Sequence, residues 1–172
     1  MIDVLISVPR VATIPSSEQS RQRALDALQI LDTEPEQQFD RIVKFAQKFF
    51  GAQSAAIAFV DSGREWIMTT AGFDQKVAPR GSLLSDYAIR QSLTFVVEDA
   101  LKDPRFVGNP FVLGAPHIRF YAGHPIESQD GERVGVIAVF DPQPRSFSSD
   151  NTRILRDLAH LVQRELGEGG AK

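Results

Sequence analysis

Two apolar hairpins bracketed by amphipathic helices constrain the fold of this chain more than any other feature. Residues 54–61, SAAIAFVD, form a nearly continuous apolar run, and a two-residue turn at Ser62 and Gly63 leads into a return strand. Alternation along that return strand predicts Trp66, Met68 and Thr70 on one face and Ile67 and Thr69 on the other. A second pair, RFYAGHPI and RVGVIAVFD, turns at Asp130 and Gly131. Hairpins with helices segregated around them predict an α+β domain built on an antiparallel sheet.

Three long helices are predicted around these strands. The first begins at Ser17, the second begins at Thr33 as N-cap and ends at Gly51, and the third ends at Gly167. The apolar face predicted for the second helix comprises Phe39, Ile42, Val43, Phe45, Ala46 and Phe49. A short helix is expected over 84–90 and a short strand over 94–97. We therefore predict one domain over 17–167, an N-terminal tail over 1–16, and a C-terminal tail or linker over 168–172.

Composition excludes several classes of function. The 172 residues suit a single domain, and the net charge of -3 gives no basic surface for nucleic acid. No apolar run approaches the roughly 20 residues that span a bilayer, so no membrane association is expected. The absence of cysteine fits a cytoplasmic chain. It also excludes thiol catalysis, thioether-linked chromophores and thiolate metal sites.

A long aperiodic segment precedes the second hairpin. Residues 103–118, DPRFVGNPFVLGAPHI, have neither helical nor strand periodicity, yet they are too apolar for disorder. Loops of this length in compact domains are usually functional when they are ordered. We expect this segment, called the lid below, to fold back over another part of the domain.

Seven stretches in series resemble a GAF domain, a regulatory module of bacterial signalling proteins such as sensor histidine kinases and diguanylate cyclases. They are RALDALQILDTEPEQQFDRIVKFAQKFFG, VDSGREWI, APRGSLLSDYAI, VEDALKDPRFVGNPFV, IRFYAGHPI, GVIAVFD and ILRDLAHLV. The resemblance implies a GAF/PAS-like fold with a central six-stranded antiparallel sheet. The terminal helices would lie on one face, and short helices and loops would cover a ligand pocket on the other. The lid would then close the pocket with Phe106 turned inward.

The sequence departs from the family pattern in the short helix. Ser85 and Tyr87 stand where many relatives carry Cys and His. Without cysteine, the family resemblance excludes a free methionine sulfoxide reductase and a covalent bilin photoreceptor. The motif of the cyclic-nucleotide-binding members is not visible either. The cofactor, if any, stays unknown, with no covalent bilin and no thiolate-bound metal.

Catalytic and metal patterns are weak. The three histidines, His117, His124 and His160, have no zinc-ligand spacing, and no serine has the context of a nucleophile elbow. One histidine can ligate haem, so His117 or His124 could do so, but an ordinary polar role is favoured. His124 is in phase with its apolar strand neighbours, which predicts packing in the sheet. We predict no metal site and a chain that is not itself an enzyme, although it could regulate one.

A small-molecule pocket is the remaining site. Arg119 and Tyr121 face the same way on their strand, and Arg119 could bind an anionic ligand or pair with Asp99 or Asp103. Asn109 in the lid could contact ligand or backbone, and Trp66 could line the pocket or belong to the core. The predicted ligand-binding residues, some by family analogy, are Trp66, Asp86, Tyr87, Phe106, Asn109, His117, Arg119 and Tyr121.

The last helix carries two adjacent apolar stripes. Ile154, Leu158 and Leu161 form one, and Leu155, Val162 and Leu166 form the other. Such a wide face suggests either a homodimer seam or a broad core-facing surface. The leading hypothesis is a sensor domain that binds a small molecule and signals through its terminal helices to an output module. The alternative is a dimerisation or protein-interaction module with a degenerate, empty pocket.

Overall fold

The computed structural model describes residues 8–82 and 84–170, with side chains described over 17–82 and 84–168. The order of elements in this part of the chain is α1 (Val8–Leu28), α2 (Gln37–Phe50), β1 (Ser54–Val60), β2 (Arg64–Ala71), β3 (Val77–Pro79), α3 (Ser85–Ala88), β4 (Phe95–Val97), α4 (Pro110–Leu113), β5 (Phe120–Glu127), β6 (Arg133–Asp141) and α5 (Ser149–Gly170). A short 3-10 helix, Ala100–Lys102, follows β4.

The six strands form one antiparallel sheet in the order β3-β2-β1-β6-β5-β4. The two predicted hairpins, β1–β2 and β5–β6, pair side by side through β1 and β6 at the centre of the sheet. Burial on both faces explains why these strands are almost continuously apolar. The predicted α+β fold with a six-stranded antiparallel sheet is confirmed.

Apolar side chains fill a core on each face of the sheet. The helix-side core lies beneath α1, α2 and α5, and its fully buried members include Leu25, Val43, Ile57, Phe59, Phe120, Ile126, Ile137, Leu155 and Val162. The lid-side core lies beneath α3, α4 and the lid, and it includes Ala58, Ala78, Leu84, Phe106, Val112, Ile118, Tyr121 and Val136. The terminal helices and the lid therefore occupy opposite faces.

A β-bulge changes the side-chain alternation predicted for β2. The register shifts between Ile57 and Ala58, so one residue of β2 has no opposite partner. Trp66 and Met68 stay on the helix side as expected, but the Thr69 hydroxyl, not that of Thr70, reaches Asp40 on α2. Beyond the bulge, the predicted faces are therefore wrong, because Thr69 rather than Thr70 points to the helix side.

The helix ends differ from the predicted ones. The first helix begins at Val8, inside the predicted tail 1–16. Pro9 lies in its first turn, where it removes no helical hydrogen bond, whereas Pro15 lies in the helix interior. Residues 1–7 of that tail lie outside the described residues. Thr33 does not cap α2, since its hydroxyl donates to the Ile30 carbonyl and the helix begins at Gln37. Gly51 ends α2 in the left-handed conformation, as predicted.

The last helix continues beyond Gly167 to Gly170, because a glycine inside a helix costs only about 1 kcal/mol. The predicted tail 168–172 therefore begins as helix, and residues 171–172 lie outside the described residues. The domain boundaries stay predictions.

The apolar face of α2 is narrower than predicted. Phe45 and Phe49 are 50% and 48% exposed, and their rings stack with centroids 5.6 Å apart. Phe50 is buried in their place. Its ring contacts Phe147 just before α5, at a centroid distance of 5.2 Å.

Candidate functional site

A small closed cavity lies on the lid side of the sheet. Its volume is about 10 Å³, roughly the space of one water molecule. The strands β1, β2, β5 and β6 form its floor, and α3 together with the end of the lid forms its roof. The lining residues are Ala56, Ala58, Ile67, Phe73, Ser85, Ile118, Tyr121, Val136, Ala138 and Phe140.

The lid is tied down by its own polar groups. Asn109 caps α4 by accepting a hydrogen bond from the Phe111 amide at 2.8 Å. The Arg119 Nη1 atom donates to the carbonyls of Val112 at 2.8 Å and Ile118 at 3.1 Å. Among the described residues, Arg119 therefore holds the lid backbone and forms no ion pair with Asp99 or Asp103.

Aromatic contacts fasten the lid to α3. The Phe106 ring is buried against Tyr87, with centroids 4.9 Å apart, and Phe95 completes the group. The Arg105 guanidinium covers all three rings at 5.1 to 5.7 Å. Asp103 fixes this guanidinium, and hydrogen bonding from Arg105 lowers the pKa of Asp103. The lid is therefore closed over α3 in this structure.

Tyr121 contributes a hydroxyl with unusual surroundings. The side chain is 2% exposed, and its hydroxyl has no hydrogen-bond partner among the described residues. Burial raises the pKa of Tyr121. The adjacent Ser85 hydroxyl lowers this pKa, although its geometry forms no hydrogen bond with the phenol, and the fully buried Glu65 carboxylate raises it. Its ring lies over Gly123, where an added Cβ would stand 2.7 Å from the hydroxyl oxygen. The glycine of FYAGHPI therefore makes room for the tyrosine.

Asp86 on α3 belongs to a chain of ion pairs rather than to the cavity lining. It accepts hydrogen bonds from Arg80 Nε at 3.0 Å and Arg90 Nη2 at 2.8 Å. The same Arg80 donates from Nη1 to Glu18 on α1 at 2.7 Å. Glu18 also pairs with Arg21, and hydrogen bonds from Arg21 and then Arg80 lower the pKa of Glu18 to about 2. This chain connects the roof of the cavity to a terminal helix.

The other predicted residues are dispersed. Trp66 lies in the helix-side core beside Phe59, at a centroid distance of 6.2 Å. His117 is exposed near the end of the lid, with a φ of 58°. His124 faces α5, with Nδ1 2.8 Å from the Thr94 hydroxyl and its ring 6.4 Å from that of His160.

Of the eight predicted residues, Tyr121 lines the cavity, and Tyr87 and Phe106 pack above it. Sequence reasoning did not select the cavity floor of Ala56, Ala58 and Ala138, nor Ser85 as a lining residue. Small residues alternating along two central strands are the signal that could have found the floor.

Metal-ligating side chains and apolar helices were the remaining features of interest in the described part of the chain. Within residues 8–82 and 84–170, no cluster of three or more acidic or histidine side chains is arranged to hold a metal ion. In the same part of the chain, none of the helices is long and apolar enough to span a bilayer.

A curated relative shares 35% identity with the chain over 153 residues. It is a cyclic di-GMP phosphodiesterase of Pseudomonas aeruginosa, and the match covers 88% of this chain and 26% of the relative. The chain therefore spans about a quarter of the length of that protein.

Solved structures with the same fold come from proteins of several kinds. One is the GAF domain of an Acinetobacter phosphoenolpyruvate-protein phosphotransferase, with a TM-score of 0.64, 16% identity, and coverage of 91% of this chain and 96% of that one. Another is a domain of a putative two-component sensor histidine kinase from Sinorhizobium meliloti, with a TM-score of 0.55, 15% identity, and coverage of 77% and 91%. At these identities the likeness shows the fold alone.

A third structure corrects one prediction. It is the free methionine-R-sulfoxide reductase of Neisseria meningitidis, with a TM-score of 0.62, 17% identity, and coverage of 89% of this chain and 85% of that one. The prediction that the chain is not an enzyme, which rested on its weak catalytic patterns, is therefore wrong, because enzymes share this fold. Residues 34–166 match the family described as GAF domain. The chain belongs to the GAF domain family.

Proposed function

We propose that this GAF domain is a regulatory input domain, in which a small molecule binds beneath the lid and the terminal helices transmit the response to an output module. The observation that carries the proposal is the ion-pair chain from Asp86 through Arg80 to Glu18. One end of the chain lies on α3, which roofs the cavity, and the other lies on α1.

The ion-pair geometry supports coupling between these two helices. Arg80 uses Nε for Asp86 and Nη1 for Glu18, so a shift of α3 must either break one pair or move the guanidinium away from α1. The Arg80 and Asp86 side chains are 24% and 11% exposed, which limits the solvent screening of their pair, whereas Glu18 is 46% exposed and its pair with Arg80 is screened more strongly. A ligand that favours a different position of α3 would thereby favour a different position of α1, up to the difference in its affinity for the two states.

The curated relative indicates the kind of output. Its name describes an enzyme that acts on cyclic di-GMP, and this chain matches only 26% of its length. We infer that the output module is an enzyme of second-messenger turnover, either in the same polypeptide or in a partner. The absence of cysteine is consistent with a cytoplasmic setting for such signalling.

The surface of α5 supports a homodimer through the terminal helices. Leu155 and Val162 are buried against the sheet, whereas Ile154 and Leu161 on the adjacent side are only partly buried. A shallow surface that includes Ile154 and Leu161, with the polar side chains Asp157, His160 and Arg164 around them, is thus available to a second copy. Pairing of equivalent helices would place two output modules next to each other.

One observation favours an alternative function, a dimerisation or protein-interaction module without a ligand. The cavity of about 10 Å³ admits nothing larger than a water molecule while the lid is closed. Tyr87, Phe95 and Phe106 occupy the space above it. In this alternative, the aromatic rings replace the ligand permanently.

Native mass spectrometry of protein purified from its own cells separates the two functions. The input-domain proposal predicts a mass excess of one small molecule per chain, which disappears on denaturation. The Ala138→Val variant, whose added methyl groups project into the cavity, should lose the excess while circular dichroism shows an intact fold. A bare mass at twice the monomer would favour the dimerisation module, and a bare monomer would contradict both the input-domain proposal and dimerisation.

A further inference from the structure

The cavity lining restricts the chemistry of a ligand, if the proposed input function holds. Among the described residues, its only polar side chains are the hydroxyl-bearing Ser85 and Tyr121. The other eight lining residues are apolar, and none carries a charge. Ser85 and Tyr121 are 3% and 2% exposed, so neither obtains solvent hydrogen bonds in the closed state.

The nearby cations have other partners. Arg119 donates to two lid carbonyls, and Arg80 and Arg90 pair with Asp86. Arg105 lies over the outer aromatic group and pairs with Asp103. An anion in the cavity would therefore lose its hydration without gaining a cationic partner, which is costly in an apolar site.

The Tyr121 hydroxyl is the polar group that a ligand would satisfy. A buried hydroxyl without a partner is destabilising, so a molecule that supplies the missing hydrogen bond gains affinity. The alanines at positions 56, 58 and 138 leave the floor without large side chains. An apolar body placed on that floor would be buried between the sheet and the roof, with α3 and the lid held farther from the sheet than in this structure.

We propose that the ligand is a neutral, mainly apolar small molecule with a single hydrogen-bonding group, which pairs with the Tyr121 hydroxyl and lies on the alanine floor. Ser85 on α3 is the second polar contact. Because the closed cavity holds only about one water, the ligand enters when α3 and the lid separate from the sheet. The inference rests on the proposed function and defines the ligand class of the same site.

Three aromatic probes of similar size test the inference by titration calorimetry on the complete chain. Phenol is neutral and has one hydroxyl, benzene lacks the hydroxyl, and benzoate carries a negative charge. We expect phenol to bind about 3- to 10-fold more tightly than benzene, the range of one net hydrogen bond. Benzoate should bind at least about 10-fold more weakly than phenol.

The Tyr121→Phe variant provides the matched control. It removes the hydroxyl and keeps the ring, so phenol should lose its preference and bind this variant no more tightly than benzene. Benzene should bind the variant as it binds the wild-type protein, which also shows that the cavity is intact. Tightest binding by benzoate would overturn the inference but leave the input-domain proposal standing. Absence of binding by all three probes, or a phenol preference that survives Tyr121→Phe, would overturn the inference as well. The mass excess described above tests the input function independently.

Discussion

Arg80 Nη1 donates a hydrogen bond of 2.7 Å to Glu18 Oε1 and thereby joins the loop before α3 to the terminal helix α1. These residues are 62 positions apart in the sequence, and each also has a second ionic partner. Beyond Glu18, the Arg21 Nη1 atom donates to the Val60 carbonyl at 2.7 Å, so the same chain of contacts reaches the end of β1. A terminal helix, the cavity roof and a central strand therefore share one polar network.

The first prediction concerns the acid dependence of this network. Hydrogen bonds from Arg21 and Arg80 lower the pKa of Glu18 from 4.5 to about 2. Since the folded pKa lies below the unfolded one, the stabilisation is present above pH 4.5 and is lost as the pH falls to 2. We expect Glu18→Gln to lower the melting temperature at pH 7. Between pH 4.5 and pH 2, the melting temperature of this variant should fall less than that of the wild type. An equal fall in the melting temperature of the variant and of the wild type over this pH range would contradict the prediction.

The second prediction concerns His124. Burial, followed by His160 and Arg156, lowers the pKa of this imidazole to about 4. Between pH 6.5 and pH 4, His124 is therefore protonated in the unfolded chain but mostly neutral in the folded one. The free energy of unfolding falls as the pH drops through this range. Between pH 7 and pH 4.5 we expect His124 to account for about 2 kcal/mol of lost unfolding free energy.

Urea denaturation at these two pH values measures the loss. The His124→Gln variant should lose about 2 kcal/mol less than the wild type, whatever its stability at pH 7. The exposed neighbour supplies the control, since His160→Gln keeps the buried imidazole of His124 and should therefore keep most of the wild-type loss. An unchanged loss in His124→Gln would show that other groups cause the acid sensitivity.

The third prediction tests the position of Tyr121. An alanine at Gly123 would place Cβ 2.7 Å from the tyrosine hydroxyl oxygen and 2.9 Å from Val136. The rigid ring must then move within a packed core, so we expect a destabilisation of about 1 to 3 kcal/mol. Gly108→Ala in the lid is the control, because no atom lies within 4 Å of its added Cβ. Equal stability of the two variants in urea would refute the described ring position.

The strands and long helices could be predicted because their signals are local. Alternation and turn residues define the β5–β6 hairpin, and the left-handed Gly51 ends α2 where the sequence indicated. The bulge at Ile57 and Ala58 leaves no local signal, since it depends on how β1 and β2 pair. The helices begin at Val8 and Gln37 rather than at the predicted Ser17 and Thr33, because capping residues alone do not determine where a helix begins.

The site was less predictable because its geometry depends on tertiary contacts. Alternation groups Trp66 with Met68, but it does not say which face of the sheet the lid covers. Arg119 donates to backbone carbonyls of the lid, and any residue type could supply such acceptors. The contact between Arg80 and Glu18 joins segments 62 positions apart and has no sequence signature.

Amide hydrogen exchange of α1 and α3 tests the central claim, that the cavity roof is coupled to a terminal helix. The Arg80→Gln variant removes the cation that pairs with both Asp86 and Glu18. Arg90→Gln is the control, because it removes a 65% exposed partner of Asp86 that forms no ion pair with α1 among the described residues. We predict that Arg80→Gln speeds exchange about 2- to 5-fold in both Ser85–Ala88 and residues 18–28. Arg90→Gln should affect α3 alone. If Arg80→Gln leaves exchange in residues 18–28 at the wild-type rate, the two helices are not coupled through this chain.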